Sequence, residues 1–542
     1  MRLLRGVSLL TVACITGLAG AREPDIKLPD IGSSAAAIMS PQDLHDYGAA
    51  MLQEMRAYNL VLDDALLDDY INALGYRLVA NSERPDLPFV FFIVRDAQIN
   101  AFAAPGGFVA ANAGLITAMQ REDELAGVLA HEISHVQQQH ILRAFESTQK
   151  MSVPIMLAML GVLIATAHRT DDAGMAAIMT GTSLIQQHQI NFTRGEEAEA
   201  DRVGIQTLAR SGFDPMAMAG AFMTLQKMMR VNGADVPEFL LDHPLDTKRI
   251  AEAKERAAQL DDEASDVRAK NTAAMDAAVL TSALLPGMNR NTPKPVTPAN
   301  PAINQGEAYF ELMRERARVL SAGSATVMRA YYADNLRDNP AFDTTANHYG
   351  YALALLQTRQ PALAVTELQK LTAKQPNSPV LRLALAHAEE QSGNPADALK
   401  VYAQLNRDFP GNRAVTLSYS DTLLARADSA SARAALGLLR PLVERHADDP
   451  ELQKSYARAN QLSGDKVRAA EAYAEAAYLT GHAEDALNQL KALSKQTDLT
   501  YYQRSRIDAR ITQLTPAVLE LRKRGAATTP DSLLPAFRLH AG

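Results

Sequence analysis

The sequence contains almost no cysteine. Its single cysteine, Cys14, lies in an N-terminal segment with the features of a removable export signal. A chain cut after that segment could form no disulfide bond, so packing and hydrogen bonds must hold its fold together. This absence is compatible with a bacterial periplasmic enzyme.

The sequence also lacks an excess of positive charge. It has 54 Lys and Arg residues against 62 Asp and Glu residues, which gives a formal net charge of -8. No cluster of basic residues is interleaved with aromatic residues. Binding to a phosphate backbone needs such a basic footprint, so we expect no nucleic-acid partner.

No uncharged apolar stretch is long enough to cross a bilayer. The longest internal one, Val153–Ala167, has about 14 apolar residues, whereas a spanning helix needs roughly 20. Three interpretations remain for it: a buried core helix, a flexible lid, or a hairpin that makes peripheral contact with a membrane surface.

The N-terminus has the pattern of a signal peptide, which we assign to residues 1–21. Basic residues Arg2 and Arg5 precede an apolar run, and Ala19-Gly20-Ala21 supplies the small residues that signal peptidase prefers. We therefore expect export to the periplasm and a mature chain that begins near Arg22.

The next part of the chain predicts an α+β domain, residues 40–265. Apolar residues at helical spacing predict two helices between 43 and 84. Pro88–Val94 and Gly107–Ala113 are rich in apolar residues with short, extended patterns and predict strands of one small sheet. Residues 121–144 predict one helix, because acidic residues begin it and an apolar stripe follows.

The C-terminal part repeats with a period of 34 after a Pro-rich linker, residues 266–304. The repeated positions are Ala364, Leu368, Leu371 and Pro376 with Ala398, Tyr402, Leu405 and Pro410, and then Ala435, Leu439 and Leu442 with Ala469, Tyr473 and Ala476. This period and spacing resemble the tetratricopeptide repeat. The pattern predicts an all-α solenoid of stacked helix pairs over residues 305–525.

The strongest chemical motif is His131-Glu132-Ile133-Ser134-His135, an H-E-x-x-H sequence on the helix predicted for 121–144. Helical residues four apart differ by only about 40° in direction, so both imidazoles can hold one Zn²⁺ ion. Glu132 lies beside them and could accept a proton from a zinc-activated water molecule. The alternative is a surface helix with two solvated histidines.

A catalytic zinc ion needs a third protein ligand. The acidic run Glu196–Asp201 is the best supplier, because Glu197 and Asp201 are four apart and share a helix face. Glu197 could reach the metal while Asp201 accepts a hydrogen bond from a ligand histidine. Spacing alone does not separate Glu197 from Glu196 or Glu199, and a solvated acidic face is the alternative.

Together these motifs resemble the gluzincin family, which includes CAAX prenyl proteases and bacterial membrane-quality-control proteases. The resemblance rests on the H-E-x-x-H motif, on Glu197-x-x-Ala200-Asp201, on Arg194, and on the segment from Asn100 to Gly107, and it covers roughly residues 40–255. It implies a zincin-like fold with one Zn²⁺ per chain. It also selects Glu197 as the third ligand and gives Asp201 a position beside the ligands or a proton-donor role.

The resemblance adds two further expectations. His243, in Leu241-Asp242-His243-Pro244, would occupy the open zinc position and restrain the enzyme until substrate displaces it. Asn100, Gly106 and Gly107 would lie along a strand edge to which an extended substrate adds its backbone. The alternatives are a histidine in an ordinary turn and a simple glycine turn between two strands.

The export signal and the repeats make the whole chain similar to the periplasmic members of this family. The resemblance then implies a zinc metalloendopeptidase that degrades misassembled outer-membrane β-barrel proteins and assists their assembly. Its partners would be unfolded or stalled outer-membrane proteins and the β-barrel assembly machinery. The rival hypothesis is a non-proteolytic chaperone or scaffold whose zinc site His243 keeps closed.

Overall fold

We describe the protein from a computed structural model that covers residues 40–147, 194–232, 239–240, 243–260 and 306–527. The predicted signal peptide, the linker at 266–304 and the apolar segment Val153–Ala167 lie outside the described residues. Among the described residues, no helix is both long and apolar enough to cross a membrane.

Two helices open the described chain, as the apolar spacing predicts. They are α1, Pro41–Ala57, and α2, Ala65–Ala80. Each begins where a side chain accepts a hydrogen bond from the first turn: Ser40 from the Asp43 amide, and Asp64 from the Leu67 amide. These N-caps supply acceptors that the helix backbone itself cannot provide.

A three-stranded sheet follows, with the order β1-β3-β2. The strands are β1, Val90–Val94, β2, Ala101–Ala104, and β3, Phe108–Asn112. β3 pairs in parallel with β1 and antiparallel with β2. The sequence predicted β1 and β3; the short strand β2 is an addition, and it forms an edge of this sheet.

After the short helix α3, Ala113–Ala118, come α4, Glu122–Gln137, and α5, His140–Ser147. The prediction of one continuous helix over 121–144 is therefore wrong. The helix breaks at Gln139, which has a φ of 54° in the left-handed region. Non-glycine residues rarely adopt this conformation, and it reverses the chain so that α5 folds back toward α4.

Three more helices complete this part: α6, Arg194–Arg210, α7, Met216–Asn232, and α8 at 247–260. Two glycines allow α4 to approach its neighbours closely. A Cβ on Gly204 of α6 would come within 3.2 Å of the Ala130 backbone, and one on Gly127 of α4 would come within 3.1 Å of Met218 on α7. The core between α4, α6 and α7 is consequently tight and apolar.

The remaining described residues form twelve α-helices. They are α9, Glu307–Ser321, α10, Ala325–Asp338, α11, Thr345–Gln357, α12, Pro361–Lys374, α13, Pro379–Gln391, α14, Pro395–Asp408, α15, Arg413–Ala425, α16, Ser429–Val443, α17, Pro450–Ser463, α18, Lys466–Leu479, α19, Ala483–Ser494, and α20, Tyr501–Ala527.

The period of 34 is visible in this array. Pro361 and Pro395, which begin α12 and α14, are 34 residues apart, and almost all repeated apolar positions are buried. Tyr473 differs, with 36% of its surface exposed and its hydroxyl donating to Gln461. The predicted fold class, an α+β zincin-like domain followed by a tetratricopeptide solenoid, is confirmed.

The solenoid contacts the first domain through a group of partly buried charges that we call the inter-domain cluster: Asp64, Asp68, Arg316, Arg413 and Asp449. The Arg316 guanidinium donates to both oxygens of Asp64, at 2.7 and 2.6 Å. Arg413 lies between Asp68, at 3.1 Å, and Asp449. Arginine from one domain therefore pairs with aspartate from the other.

A second inter-domain contact joins the beginnings of α4 and α9. The Glu122 amide donates to the Glu307 carboxylate at 3.1 Å, and the Gly306 amide donates to the Glu122 carboxylate at 2.9 Å. No side chain of the preceding residue caps either helix. Each helix thus obtains its N-terminal acceptor from the other, an arrangement that we call the mutual cap.

Candidate active site

Helix α4 presents His131, Glu132 and His135 toward the core of the first domain. All three side chains are buried, and the two imidazoles direct their Nε2 atoms toward each other at 3.0 Å. The four-residue spacing produces this arrangement, because it returns the second imidazole to nearly the same direction as the first.

Helix α6 brings Glu197 to the same point. Its carboxylate lies 3.5 Å from His131 Nε2 and 3.4 Å from His135 Nε2. Glu199 instead contacts His140 at 3.1 Å, and Glu196 is outside the group of ligand atoms. The geometry therefore distinguishes the three acids that spacing alone leaves equivalent.

His243 is the fourth side chain of this group. Its Nδ1 lies 2.9 Å from Glu197 Oε1 and 3.3 Å from His131 Nε2, while its Nε2 lies 3.6 Å from Glu132 Oε1. The imidazole consequently contacts both the ligand atoms and the carboxylate of Glu132.

One possible ligand atom from each of His131, His135, Glu197 and His243 lies within 4.8 Å of the others, and we call these four residues the metal cluster. Imidazole nitrogens with one carboxylate oxygen are the donor set that suits zinc best. The chemistry of the cluster therefore fits a divalent ion.

The two α4 histidines have pKa values shifted in opposite directions. Burial opposes protonation of His131, but the hydrogen bonds that it donates to Asp201 and Glu197 outweigh burial and raise its pKa to about 10. Burial would also raise the pKa of Glu197, yet its histidine contacts hold that pKa far below the ordinary value. At His135, burial and the neighbouring histidines instead hold the pKa well below its ordinary value. The acids thus favour a positive charge at His131 but do not add a second one at His135.

Asp201 lies behind His131 rather than among the ligand atoms. Its Oδ1 is 3.0 Å from His131 Nδ1, the nitrogen that faces away from Glu197. Arg249 of α8 pairs with both oxygens of Asp201 at 2.8 Å and donates to the Pro244 carbonyl at 2.9 Å. It also lies 2.7 Å from Glu197. One guanidinium thus joins two acids of the site to the turn that carries His243.

The structure places the three residues of the predicted substrate edge at the two ends of β2. Asn100 is buried immediately before β2, and its side-chain oxygen has no hydrogen-bond partner. Gly106 and Gly107 form the turn from β2 to β3 with φ of 83° and 86°. A Cβ at Gly107 would lie 1.9 Å from the Pro88 carbonyl, so the two glycines have a local structural requirement.

Two residues of the site were missed by sequence reasoning. His140 contacts His135, Nδ1 to Nδ1, at 2.9 Å, and it contacts Glu199 through Nε2. Arg249 is the second, and it pairs with both Asp201 and Glu197. Its positive charge could have been matched to the nearby acids, but the fold-back of His140 depends on Gln139, for which the sequence carries no recognised signal.

Comparison with protein families places two matches on the chain. Peptidase family M48 matches residues 65–257, and a tetratricopeptide repeat matches residues 379–422. The first match contains every residue of the metal cluster, and the second lies within the solenoid.

Comparison with characterised proteins finds relatives of similar length. The β-barrel assembly-enhancing protease of Yersinia pestis is 32% identical over 500 residues, which cover 90% of this chain and 91% of the relative. The protein of the same name from Escherichia coli strain K12 is 30% identical over 488 residues, with the same shares. A putative one from Vibrio cholerae is 41% identical over 250 residues, or 46% of this chain and 51% of the relative.

Proposed function

This chain belongs to peptidase family M48 and is a zinc metalloendopeptidase, and on that premise we propose that it degrades misassembled outer-membrane β-barrel proteins in the periplasm. The observation that carries the proposal is the convergence of His131, His135 and Glu197, with Glu132 on the same helix. The relatives named for β-barrel assembly support the proposed substrate class.

In the proposed mechanism, His131, His135 and Glu197 hold one zinc ion, which supplies Lewis acidity for attack on the peptide carbonyl. Glu132 would act as the general base that takes a proton from the attacking water molecule, and it would then deliver that proton to the departing amine. Its burial supports this role, because a carboxylate held away from bulk water exchanges protons with groups in the site. Asp201 holds His131 in the tautomer whose Nε2 is free to bind the metal.

We assign His243 a restraining role. The support is its position between the metal ligands and Glu132, since a fourth protein ligand closes a zinc site to substrate. Substrate would have to displace the imidazole before it could reach Glu132. The resting enzyme is therefore expected to be slow.

The edge strand β2 is the proposed docking line for an extended substrate. Its one described strand partner is β3, and a substrate strand would add on the side away from β3. Asn100 lies immediately before β2, and its side-chain oxygen, which has no hydrogen-bond partner, would accept from a substrate amide if substrate binding exposed it.

The solenoid is the proposed recognition part. Tetratricopeptide arrays offer extended surfaces for protein partners, so we assign it the binding of unfolded or stalled outer-membrane proteins and of the β-barrel assembly machinery. The second candidate function is a scaffold that rarely cleaves, and the closed position of His243 is the observation that favours it.

The test compares the wild type, Glu132→Gln and His243→Ala as full chains lacking only residues 1–21. Zinc content is measured together with degradation of casein and of an unfolded outer-membrane β-barrel protein. We expect about one zinc per chain in all three. Cleavage should fall by at least about 100-fold in Glu132→Gln and rise several-fold in His243→Ala.

A Glu196→Gln variant is the matched control, because Glu196 is on α6 but outside the metal cluster; it should keep wild-type turnover. Stoichiometric zinc without cleavage in any variant would favour the scaffold. Absence of zinc from the wild type would overturn the assignment of the site.

A further inference from the structure

Each of the two predicted histidine ligands on α4 has a partner on the nitrogen that faces away from the metal cluster. For His131 that partner is Asp201. For His135 it is His140, whose Nδ1 lies 2.9 Å from His135 Nδ1. A carboxylate is an ordinary partner for a ligand histidine, whereas a second imidazole can either donate or accept, so its orientation must be fixed by something else.

Glu199 provides that constraint. Its Oε2 lies 3.1 Å from His140 Nε2, and an ionised carboxylate can only accept a hydrogen bond. A neutral His140 must therefore carry its proton on Nε2. Its Nδ1 then has a free lone pair and can only accept, so the proton between the two rings must be on His135 Nδ1.

The consequence reaches the metal cluster. With its proton on Nδ1, His135 has a lone pair on Nε2, which is the atom facing His131 and Glu197. The reverse order would put a proton on Nε2 and prevent binding of a metal there. The chain from Glu199 through His140 to His135 thus permits one tautomer, and it is the one that can be a ligand.

The backbone is shaped to make this contact. Five residues along an uninterrupted helix, His140 would be turned by about 140° from His135 and would face another direction. The break at Gln139, with its φ of 54°, brings His140 back beneath His135. Such a conformation costs energy and persists where the surrounding structure over-determines it. His140 is fully buried, so the contact is shielded from water.

We propose that His140 and Glu199 are positioning residues that fix the tautomer and direction of His135 for zinc binding. This inference rests on the proposed zinc site. It assigns to Glu199 a function distinct from that of Glu197, two residues earlier, and it gives both α4 histidines a fixed partner of their own.

The test measures zinc affinity of the full chain by competition with a chromophoric chelator, and the melting temperature of the metal-free protein. His140→Leu removes the acceptor, and we expect affinity to fall by about 10- to 100-fold, as it does when the outer partner of a ligand histidine is lost. His140→Asn can place an amide oxygen near the former Nδ1 and should recover most of the affinity.

Arg143→Leu is the matched control. Arg143 also contacts Glu199, at 3.2 Å, but its side chain is 42% exposed and does not touch His135. Its affinity should stay within about twofold of the wild type, and the metal-free melting temperatures of all variants should agree. Equal affinities in His140→Leu and the wild type would overturn the inference.

Equal loss in His140→Leu and His140→Asn, together with a lowered metal-free melting temperature, would also overturn it by showing a structural role. Failure of the proposed zinc site itself would appear differently, as a wild type that binds no zinc.

Discussion

The molecule buries charge in two places, the metal cluster and the inter-domain cluster, and the two are built on different principles. In the inter-domain cluster, Arg316 and Arg413 supply a positive group for Asp64, Asp68 and Asp449. In the metal cluster, three imidazoles and a carboxylate bring possible ligand atoms within 4.8 Å of one another. The first arrangement pairs two cations with three acids, whereas the second is a donor set suited to a cation.

The difference also appears in the pKa values. Burial would raise the pKa of Asp64, but the charge of Arg316 lowers it. At Asp68 burial outweighs the charge of Arg413, and the pKa lies well above its ordinary value. At the metal cluster the acids instead raise the pKa of His131 to about 10. Buried charge in the first place therefore stabilises a domain contact, while in the second it prepares a binding site. Mutations should separate these two effects.

The largest expected effect is on the inter-domain cluster. Arg316→Met leaves Asp64 partly buried without its cation, and removing one member of such a pair costs about 3 kcal/mol or more. We expect the free energy of unfolding in urea to fall by about that amount, while zinc content stays unchanged. The double variant Asp64→Asn/Arg316→Met should recover part of the loss.

The control for that change is Arg337→Met. Arg337 pairs with Asp334 and Asp338 on an exposed surface, so its loss should lower the free energy of unfolding far less than the loss of Arg316 does. Similar losses in the two variants would show that the inter-domain pair contributes no more than a surface pair.

The next effect is on the metal cluster, where a mutation should lower zinc affinity and leave the inter-domain cluster unchanged. Asp201→Asn weakens the acceptor behind His131, and we expect zinc affinity to fall by about 10- to 100-fold. This equals about 1.4 to 2.7 kcal/mol. Competition with a chelator measures the zinc affinity. The loss of unfolding free energy caused by Arg316→Met should be the same in the Asp201→Asn background as in the wild type.

Asp246→Asn is the control for Asp201. The Asp246 carboxylate accepts a hydrogen bond from the backbone amide of Arg249 and is not part of the metal cluster. Wild-type zinc affinity in Asp201→Asn would contradict the positioning role. The same loss in both variants would indicate a general effect on α8.

The last prediction concerns the mutual cap and the pH dependence of the free energy of unfolding. Burial raises the pKa of Glu122 to about 7 from 4.5. The folded protein therefore holds more protons than the unfolded chain between these values, and stability from this group is present below pH 4.5 and lost as pH rises through 7. Glu122→Gln should remove this dependence and change the difference in unfolding free energy between pH 5 and pH 8 by up to about 2.5 kcal/mol.

Urea titrations at several pH values measure this change. A shallower slope is expected rather than a flat one, because burial also raises the pKa of Asp69 to about 7. Parallel pH curves for Glu122→Gln and the wild type would contradict the prediction.

Local pattern predicts most of the fold here, and long-range contact explains what it misses. The period of 34 and the helical spacing of α1 and α2 reflect which residues must be buried, so both patterns are visible in the sequence alone. β2 is four residues long and mostly alanine, which gives a weak strand signal. The break at Gln139 replaces a helix that the side chains themselves would favour, so tertiary contacts decide it.

The candidate site divides in the same way. The H-E-x-x-H spacing identifies His131, Glu132 and His135 because they share one helix. The choice of Glu197 over its acidic neighbours needed the family resemblance, since all three lie on one predicted helix. Arg249 and His140 act through contacts that join separate elements, and a single sequence does not specify such pairs.

The mutual cap also bears on the order in which the protein is assembled. The acceptor for the Glu122 amide lies 185 residues later in the chain. Any process that delivers the polypeptide from its N-terminus supplies the H-E-x-x-H helix first and its cap much later. A chain that stops before residue 306 lacks Gly306 and Glu307, the two residues that bond to Glu122 in the mutual cap. The helix that carries the H-E-x-x-H motif therefore obtains its cap only when the beginning of the solenoid has been made.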